Sequence, residues 1–252
     1  MTTTIAVAGK GGTGKTSISA LLVKLLAEKG VVLAIDGDPS SNLHLALGLP
    51  LEDTVGGIRE EMLAQVKGGR FDPGMAKQDY IDLRIHESLV ESQGLDLLAM
   101  GRPEGPGCYC AANNMLRNVI DRLETNYAYV VIDNEAGLEH ISRQTTADLD
   151  ALIIVSDVSM RGMVTAVRVK ELIGEIRTSV GRVALVINRL DGDLTPEMEK
   201  AVAESGMELI STIPTDPRAA ELDSRGLPLV QLPDDSPLVR AVRDIAQKLG
   251  LL

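Results

Sequence analysis

The stretch Gly9-Lys10-Gly11-Gly12-Thr13-Gly14-Lys15-Thr16 decides the fold of this chain, because it matches the phosphate-binding loop G-x-x-x-x-G-K-[ST]. The flanking sequence agrees with the motif. An apolar run over 4–8 predicts a buried strand, and 17–29 predicts a helix. A glycine-rich turn between a strand and a helix directs backbone N–H groups at phosphate oxygens, at the positive end of the helix dipole. We therefore expect nucleotide phosphates to bind here, and a turn that merely joins two elements is the less favoured reading.

The residues of the loop have separate expected roles. Lys15 should pair with the β- and γ-phosphates, and the Thr16 hydroxyl should coordinate Mg²⁺. Lys10 is unusual, because a lysine so early in the loop cannot reach its own γ-phosphate as well as Lys15 does. The candidate nucleotide-binding residues of this segment are Gly9, Lys10, Gly11, Gly12, Thr13, Gly14, Lys15, Thr16 and Ser17.

The rest of the chain predicts an α/β fold with a doubly wound, mostly parallel sheet. Short apolar runs are nearly continuous, as in strands buried on both faces. Predicted strands cover 5–8, 31–35, 95–100, 128–132, 151–155, 183–187 and 208–213, and predicted helices include 114–124, 162–180 and 196–205. The segment 51–93 is too long for a simple connection, so we expect an excursion of one or two helices at the sheet edge. Residues 1–252 are predicted to form one domain with ligands at the carboxyl ends of the strands.

Composition excludes several classes of function. The net charge of −11 argues against a broad contact with nucleic acid backbones. One Phe and no Trp leave few platforms for stacking on single-stranded bases. We see no signal peptide and no apolar run of the roughly 20 residues that span a membrane. The expected location is the cytoplasm, where the two cysteines would be reduced thiols.

Two carboxylate segments follow predicted strands. Asp36-Gly37-Asp38-Pro39 places acids where they could orient an attacking water or hold Mg²⁺ through its hydration shell, although Asp-Pro is also common in turns. Asp133 ends the apolar run Val130-Val131-Ile132, and a buried carboxylate there needs a cation or hydrogen bonds. The following segment 134–140, with a glycine and His140, is the candidate γ-phosphate sensor.

Four residues at later strand ends are weaker candidates for contacts with adenine. The amide of Asn188, followed by Arg189, could read the base. Pro214 and Asp216 lie in an Ile-Pro-Thr-Asp segment whose backbone could border it, but such turns are common.

Gly107-Cys108-Tyr109-Cys110 is the feature that discriminates between functions. Two cysteines one residue apart point to the same side of an extended segment, and their thiolates suit a soft or borderline metal. A tetrahedral site needs four donors, and a two-fold dimer axis through the loop would supply two plus two. The alternative is a pair of small buried side chains.

Together these motifs resemble those of the deviant-Walker-A ATPases, and among them the nickel-insertion ATPases. The segments that carry the resemblance are the loop with its extra lysine, D-G-D-P, C-x-C after R-P-E-G-P-G, and D-x-x-A-G-x-E-H. These CooC/AcsF-type factors mature carbon monoxide dehydrogenase and acetyl-CoA synthase. The resemblance implies a SIMIBI-type P-loop ATPase that forms a homodimer, binds ATP or ADP with Mg²⁺, and delivers Ni²⁺ (or Zn²⁺ in vitro) to the apo-enzyme.

The same resemblance assigns roles to individual residues. Lys10 would act on the partner's nucleotide, Asp38 would activate water, and Asp36 would be an outer ligand of magnesium beside Thr16 and Asp133. Cys108 and Cys110 would bind nickel in a site shared across the dimer.

Two other functions remain open at this point. Two C-x-C motifs could hold a [4Fe–4S] cluster in an ATP-gated electron donor, although the nitrogenase iron protein draws its cysteines from two separate segments. A positioning ATPase like the partition and division-site proteins is the other alternative. Residues 237–252 could form a basic amphipathic helix that binds membranes, but such a terminal helix more often covers the sheet.

Overall fold

A computed structural model describes residues 2–102, 123–135, 148–175 and 179–252. Its centre is an eight-stranded sheet with the order β3-β4-β2-β5-β1-β6-β7-β8, in which only β3 runs antiparallel to its neighbour. The strands are β1 Thr3–Gly9, β2 Val32–Asp36, β3 Val90–Ser92, β4 Leu95–Ala99, β5 Tyr129–Asp133, β6 Leu149–Ser156, β7 Val180–Asn188 and β8 Glu208–Ile213. The prediction of a doubly wound, mostly parallel sheet is confirmed.

Helices cover both faces of the sheet. Those in the described residues are α1 Lys15–Ala27, α2 Leu43–Leu47, α3 Val55–Lys67, α4 Lys77–Ser88, α5 Met160–Glu175, α6 Pro196–Ser205, α7 Pro217–Ser224 and α8 Pro237–Lys248. One core contains Ala6 and Ala8 of β1 with side chains of α3, α4, α5 and α6. The other contains Ile5 and Val7 with side chains of α1, α2 and α8. Alternate residues of one strand thus fill two cores, which explains why the strands read as continuous apolar runs.

Strand register brings the motif residues to one edge. β1 lies between β5 and β6, with Val7 opposite Asp133 and Gly9 opposite Val155. β2 pairs with β5 so that Asp36 lies opposite Asp133. The phosphate-binding loop and both carboxylates therefore meet at the carboxyl ends of three neighbouring strands.

The predicted excursion over 51–93 contains two helices, α3 and α4, as expected. Thr54 begins α3, and its hydroxyl accepts the Gly57 N–H at 3.1 Å. Arg84 of α4 pairs with Asp53 and Glu61, both at 3.1 Å, which ties the excursion together. Strand β3, which pairs with β4, was not predicted, because three residues, of which only Val90 is apolar, give too short a signal.

Two predicted helices differ from the structure. The helix predicted over 162–180 is wrong at its C-terminal end, because Val180 is in β7 and pairs with Leu149. Gly181 permits this pairing, since a Cβ there would lie 2.8 Å from the Asp150 carbonyl oxygen. Nearly all of the helix predicted over 114–124 lies outside the described residues, and Glu124 itself starts a short 3₁₀ turn.

The prediction of a single domain over 1–252 stays a prediction.

Candidate nucleotide site

The loop between β1 and α1 has a backbone that glycine alone adopts easily. Gly9, Gly12 and Gly14 have φ angles of 146°, 78° and 91°. A Cβ at Gly9 would lie 2.2 Å from the Val155 carbonyl oxygen of the neighbouring strand. The Thr13 hydroxyl donates to the Lys10 carbonyl at 2.8 Å and closes the loop on itself. The loop is therefore shaped for close approach of its backbone to a ligand.

Lys15 is a buried cation, and no carboxylate among the described residues forms a salt bridge with it. Its ammonium donates to the Lys10 carbonyl at 3.3 Å, and the residue is 8% exposed. Burial lowers the pKa of Lys15, while Asp133, Asp38 and Glu135 oppose that change through longer-range attraction. An anion such as a phosphate group would be a direct charge partner for this ammonium.

Asp133 at the end of β5 faces the start of α1. Its carboxylate accepts hydrogen bonds from the Thr16 hydroxyl at 2.6 Å and the Ser19 hydroxyl at 3.1 Å. Burial raises the pKa of Asp133 to about 6, because two neutral hydroxyls offset only part of the lost hydration. A hydroxyl and a carboxylate with oxygen donors fit Mg²⁺, which keeps several waters and uses few protein ligands. Ser19 was not a sequence candidate.

Asp36 and Asp38 have different surroundings. The two oxygens of Asp36 accept the backbone N–H groups of Asp38 at 3.1 Å and Leu43 at 2.8 Å. Burial raises the pKa of Asp36 to about 7 against these hydrogen bonds. Because its oxygens are already engaged, Asp36 fits an outer position better than a direct metal contact. Asp38 is half-buried, and its carboxylate accepts the Ser40 N–H at 2.8 Å.

The side chain of Lys10 pairs with Asp157. Its ammonium lies 3.3 Å from the Asp157 carboxylate, and both side chains are partly exposed. Asp157 also accepts the backbone N–H of Ser159 at 3.0 Å. The sequence analysis missed Asp157, although it follows an apolar strand in the same way as Asp133.

The four predicted base-contact residues lie around one cavity of about 240 Å³ beside the loop. Asn188 connects the wall of this cavity to the phosphate loop, because its side-chain amide donates to the Thr13 carbonyl at 2.7 Å. A Cβ at Gly14 would lie 2.4 Å from that amide nitrogen. The lining comprises Gly14, Ser17, Asn188, Arg189, Pro214, Thr215, Asp216, Ala219, Ala220, Asp223, Leu229 and Leu238. The last five of these were not predicted as lining residues, because the sequence did not indicate α7 and Leu238 was considered only as part of the terminal helix over 237–252.

Three predicted residues lie outside the described part of the chain: Cys108, Cys110 and His140. Within the described residues, no group of three or more His, Cys, Asp or Glu side chains is arranged to hold a metal ion. The chain that leads to the two cysteines is described as far as Arg102. The Met100 N–H, directly after β4, donates to the Asp36 carbonyl at 2.8 Å. The nickel site stays a prediction.

Comparison with known proteins identifies the family. The family CbiA, described as the CobQ/CobB/MinD/ParA nucleotide binding domain, matches residues 4–229. The chain belongs to this family. A solved member of the same fold is the septum site-determining protein MinD with Mg-ADP from Pyrococcus horikoshii, with a TM-score of 0.69 and 23% identity over 98% of this chain and 96% of that one. The eight-stranded sheet is thus the fold of a MinD/ParA-family P-loop protein, for which nucleotide and Mg²⁺ are the expected ligands.

Two relatives in sequence cover nearly the same length. An uncharacterized ATP-binding protein of Methanocaldococcus jannaschii is 44% identical over 246 residues, with 97% of both chains covered. The carbon monoxide dehydrogenase accessory protein CooC of Rhodospirillum rubrum is 31% identical, with 88% of each chain covered. No helix among the described residues of this MinD/ParA-family chain is long and apolar enough to cross a membrane.

Proposed function

We propose that this protein is an ATP-hydrolysing metallochaperone that dimerises and inserts nickel into carbon monoxide dehydrogenase or acetyl-CoA synthase. The observation that carries the proposal is the pairing of a MinD/ParA-family nucleotide site with Cys108-Tyr109-Cys110, in a chain 31% identical to CooC. Met100, directly after β4 and eight positions before Cys108 in sequence, donates its N–H to the Asp36 carbonyl at the nucleotide edge. A nucleotide at that edge could therefore influence the cysteine loop through a short length of chain.

The residues of the site divide the work of hydrolysis. Lys15, which is buried and donates to the Lys10 carbonyl, binds the β- and γ-phosphates. Thr16 and Asp133 would hold Mg²⁺, which when bound neutralises charge on the phosphate oxygens. Asp38 is half-buried near Lys15, and its carboxylate orients the water that attacks the γ-phosphorus. Lys10 acts on the nucleotide of the partner in the closed dimer.

The test is metal binding by the purified protein and by Cys108→Ser and Cys110→Ser. One C-x-C supplies two donors and four-coordination needs four, so we expect one nickel ion per dimer in the parent. Either serine variant should lose stoichiometric metal and still bind ATP, because the ATP site uses other residues. Tyr109→Phe is the matched control, since it changes the same loop without removing a thiolate, and it should keep the metal.

The readouts are nickel content, mass in solution, and activation of apo-enzyme. Nickel should promote dimerisation without nucleotide, and its binding should release protons as the thiols ionise. One nickel per monomer with unchanged mass would contradict the shared site. Normal activation of apo-enzyme by the serine variants would contradict nickel delivery.

The two other candidate functions give different results in the same preparations. An ATP-gated electron donor would contain iron and acid-labile sulfide and would absorb visible light when purified without oxygen. A positioning ATPase with a membrane-binding tail has less structural support, because Val239, Val242 and Ile245 of α8 are fully buried against the sheet. Sedimentation with anionic liposomes would detect such binding directly.

A further inference from the structure

We infer that Asp216 is a positioning residue for the base-binding half of the nucleotide site, because its carboxylate joins the starts of two helices that wall the cavity. The inference rests on nucleotide binding at the loop, and it does not require nickel delivery. Asp216 is 7% exposed and lies between β8 and α7. The sequence predicts Asp216 among the nucleotide-binding residues, and the inference gives it an indirect role in that binding.

The carboxylate of Asp216 accepts four hydrogen bonds from two directions. One oxygen accepts the backbone N–H groups of Arg218 at 2.9 Å and Ala219 at 3.4 Å, in the first turn of α7. The other accepts the Ser236 hydroxyl at 2.5 Å and the Leu238 N–H at 3.2 Å, at the start of α8. One carboxylate therefore accepts hydrogen bonds at the starts of two helices that begin 20 residues apart in sequence.

Two prolines direct these donors toward the carboxylate. Pro217 and Pro237 each occupy the first helical position, where proline lacks an N–H group. The next N–H groups of both helices then point out of the helix start, where an anion is favoured. Burial alone would raise the pKa of Asp216, but the hydrogen bonds from Ser236, Leu238 and Arg218 hold that pKa below its ordinary value. The carboxylate therefore stays ionised between the two helices.

The elements that meet at Asp216 also form the cavity wall. Pro214 and Thr215 precede it, α7 contributes Ala219 and Ala220, and α8 contributes Leu238. On the other side of the segment, Asp191 accepts the Thr215 N–H at 2.9 Å and its hydroxyl at 2.8 Å. Asp216 thus fixes one end of a segment whose backbone borders the space for a base. Its own oxygens are used by the protein, so its effect on nucleotide passes through these walls.

Asp216→Asn is the variant that loosens this junction with the least change in size. The amide of asparagine has one oxygen and one NH₂ group. In either orientation the NH₂ group faces the N–H donors at one helix start, and the hydrogen bonds to that helix are lost. Ser236→Ala is the milder variant, because it leaves the carboxylate in place. It removes one of the four hydrogen bonds to Asp216 together with the cap that the Ser236 hydroxyl provides to the Val239 N–H of α8 at 3.3 Å. Thr195→Ala is the control: Thr195 caps α6 through the Met198 N–H at 3.3 Å and does not line the cavity.

The experiment compares two ligands that share the phosphate loop but differ in the base. Binding of ADP and of inorganic pyrophosphate, each with Mg²⁺, is measured calorimetrically on the full chain. For Asp216→Asn we expect the ADP affinity to fall by about tenfold and the pyrophosphate affinity to change by less than about twofold, because only ADP uses the base cavity. Ser236→Ala should show a smaller selective loss. Thr195→Ala should lower the melting temperature without a selective loss.

Each outcome decides whether Asp216 positions the base-binding half of the site or has a purely structural role. Equal losses for ADP and pyrophosphate would overturn the inference, and so would an unchanged ADP affinity in folded Asp216→Asn. If Asp216→Asn does not fold, Ser236→Ala decides on the same ratio of affinities. A parent protein that binds ADP but delivers no nickel would remove the proposed function and leave this result standing.

Discussion

The two lysines of the phosphate loop have different partners. Lys15 is buried beside the Lys10 carbonyl, whereas the Lys10 ammonium is paired with Asp157 at the loop exterior. We expect Lys15→Ala to lose most nucleotide affinity and nearly all hydrolysis, because the cation facing the β- and γ-phosphates is gone. Lys10→Ala should keep much of the nucleotide affinity and lose hydrolysis, since only the closed dimer uses Lys10. Nucleotide affinity and turnover of both variants test this, and equal loss of binding would exclude a role of Lys10 in trans.

The ion pair between Lys10 and Asp157 holds the first lysine within its own chain. The substitution Asp157→Asn should release Lys10 from this ion pair. The amide oxygen can still accept the Ser159 N–H, while the negative charge facing Lys10 disappears. We expect this variant to dimerise with ATP at a protein concentration lower than the parent by a few-fold, consistent with the small energy of a partly exposed pair. Sedimentation velocity over a concentration series measures the shift.

The control for this prediction is the double variant Lys10→Ala/Asp157→Asn. It should show no gain in dimerisation, because the released lysine is absent. A gain of equal size in the double variant would show that Asp157 acts through α5 and not through Lys10.

At the scale of elements, the junction between the phosphate loop and β7 joins the phosphate and base halves of the site. The Asn188 amide at the end of β7 contacts the loop at Gly14, where a Cβ would lie 2.4 Å from the amide nitrogen. Gly12 also has positive φ, but a Cβ there would have no neighbour within 4 Å. Gly14→Ala should therefore weaken nucleotide binding more than Gly12→Ala, by about tenfold or more, because it adds a collision to the same kind of backbone strain.

The pair of alanine variants separates collision from strain. Affinity for ADP, measured alongside the melting temperature, is the readout. Equal losses in Gly12→Ala and Gly14→Ala would show that the loop backbone, and not the contact with Asn188, limits the site.

At the scale of the whole molecule, buried Asp133 makes stability depend on pH. The pKa of this carboxyl is about 6 in the folded protein against a reference of 3.8. Between these values the unfolded chain has lost the proton that the folded chain keeps, so this group makes the free energy of unfolding fall as pH rises. Well below the reference pKa of 3.8 both states are protonated and the group has no effect. Above pH 7 its full penalty is present.

Asp133→Asn removes this titration, and the Thr16 and Ser19 hydroxyls can still bond to the amide. In metal-free buffer, the free energy of unfolding of the variant minus that of the parent should increase from pH 4 to pH 7 by on the order of 2 kcal/mol. Urea denaturation at intervals across this range measures the difference. A difference that is constant with pH would show that Asp133 is ionised in the folded apo-protein.

Local sequence was sufficient to predict the sheet and the phosphate loop. Continuous apolar runs such as Val130-Val131-Ile132, alternating with helical segments, are typical of strands covered on both sides, and the glycine spacing of 9–16 admits few backbones. The sequence therefore predicts that β1, the loop, Asp36 and Asp133 lie at one sheet edge. The nickel function, by contrast, rested on resemblance and on Cys108 and Cys110, and no contact among the described residues tests it.

Only the tertiary structure decided which side chains meet. The partners Lys10 and Asp157 are separated by 147 residues, and Asn188 and Thr13 by 175. The four hydrogen bonds to Asp216 join the starts of α7 and α8, which no local pattern links. Local sequence fixes backbone preference and which face is apolar, because these depend on neighbours within a few residues. Strand order and helix packing bring distant polar groups together, so their partners follow from the packing of the whole chain.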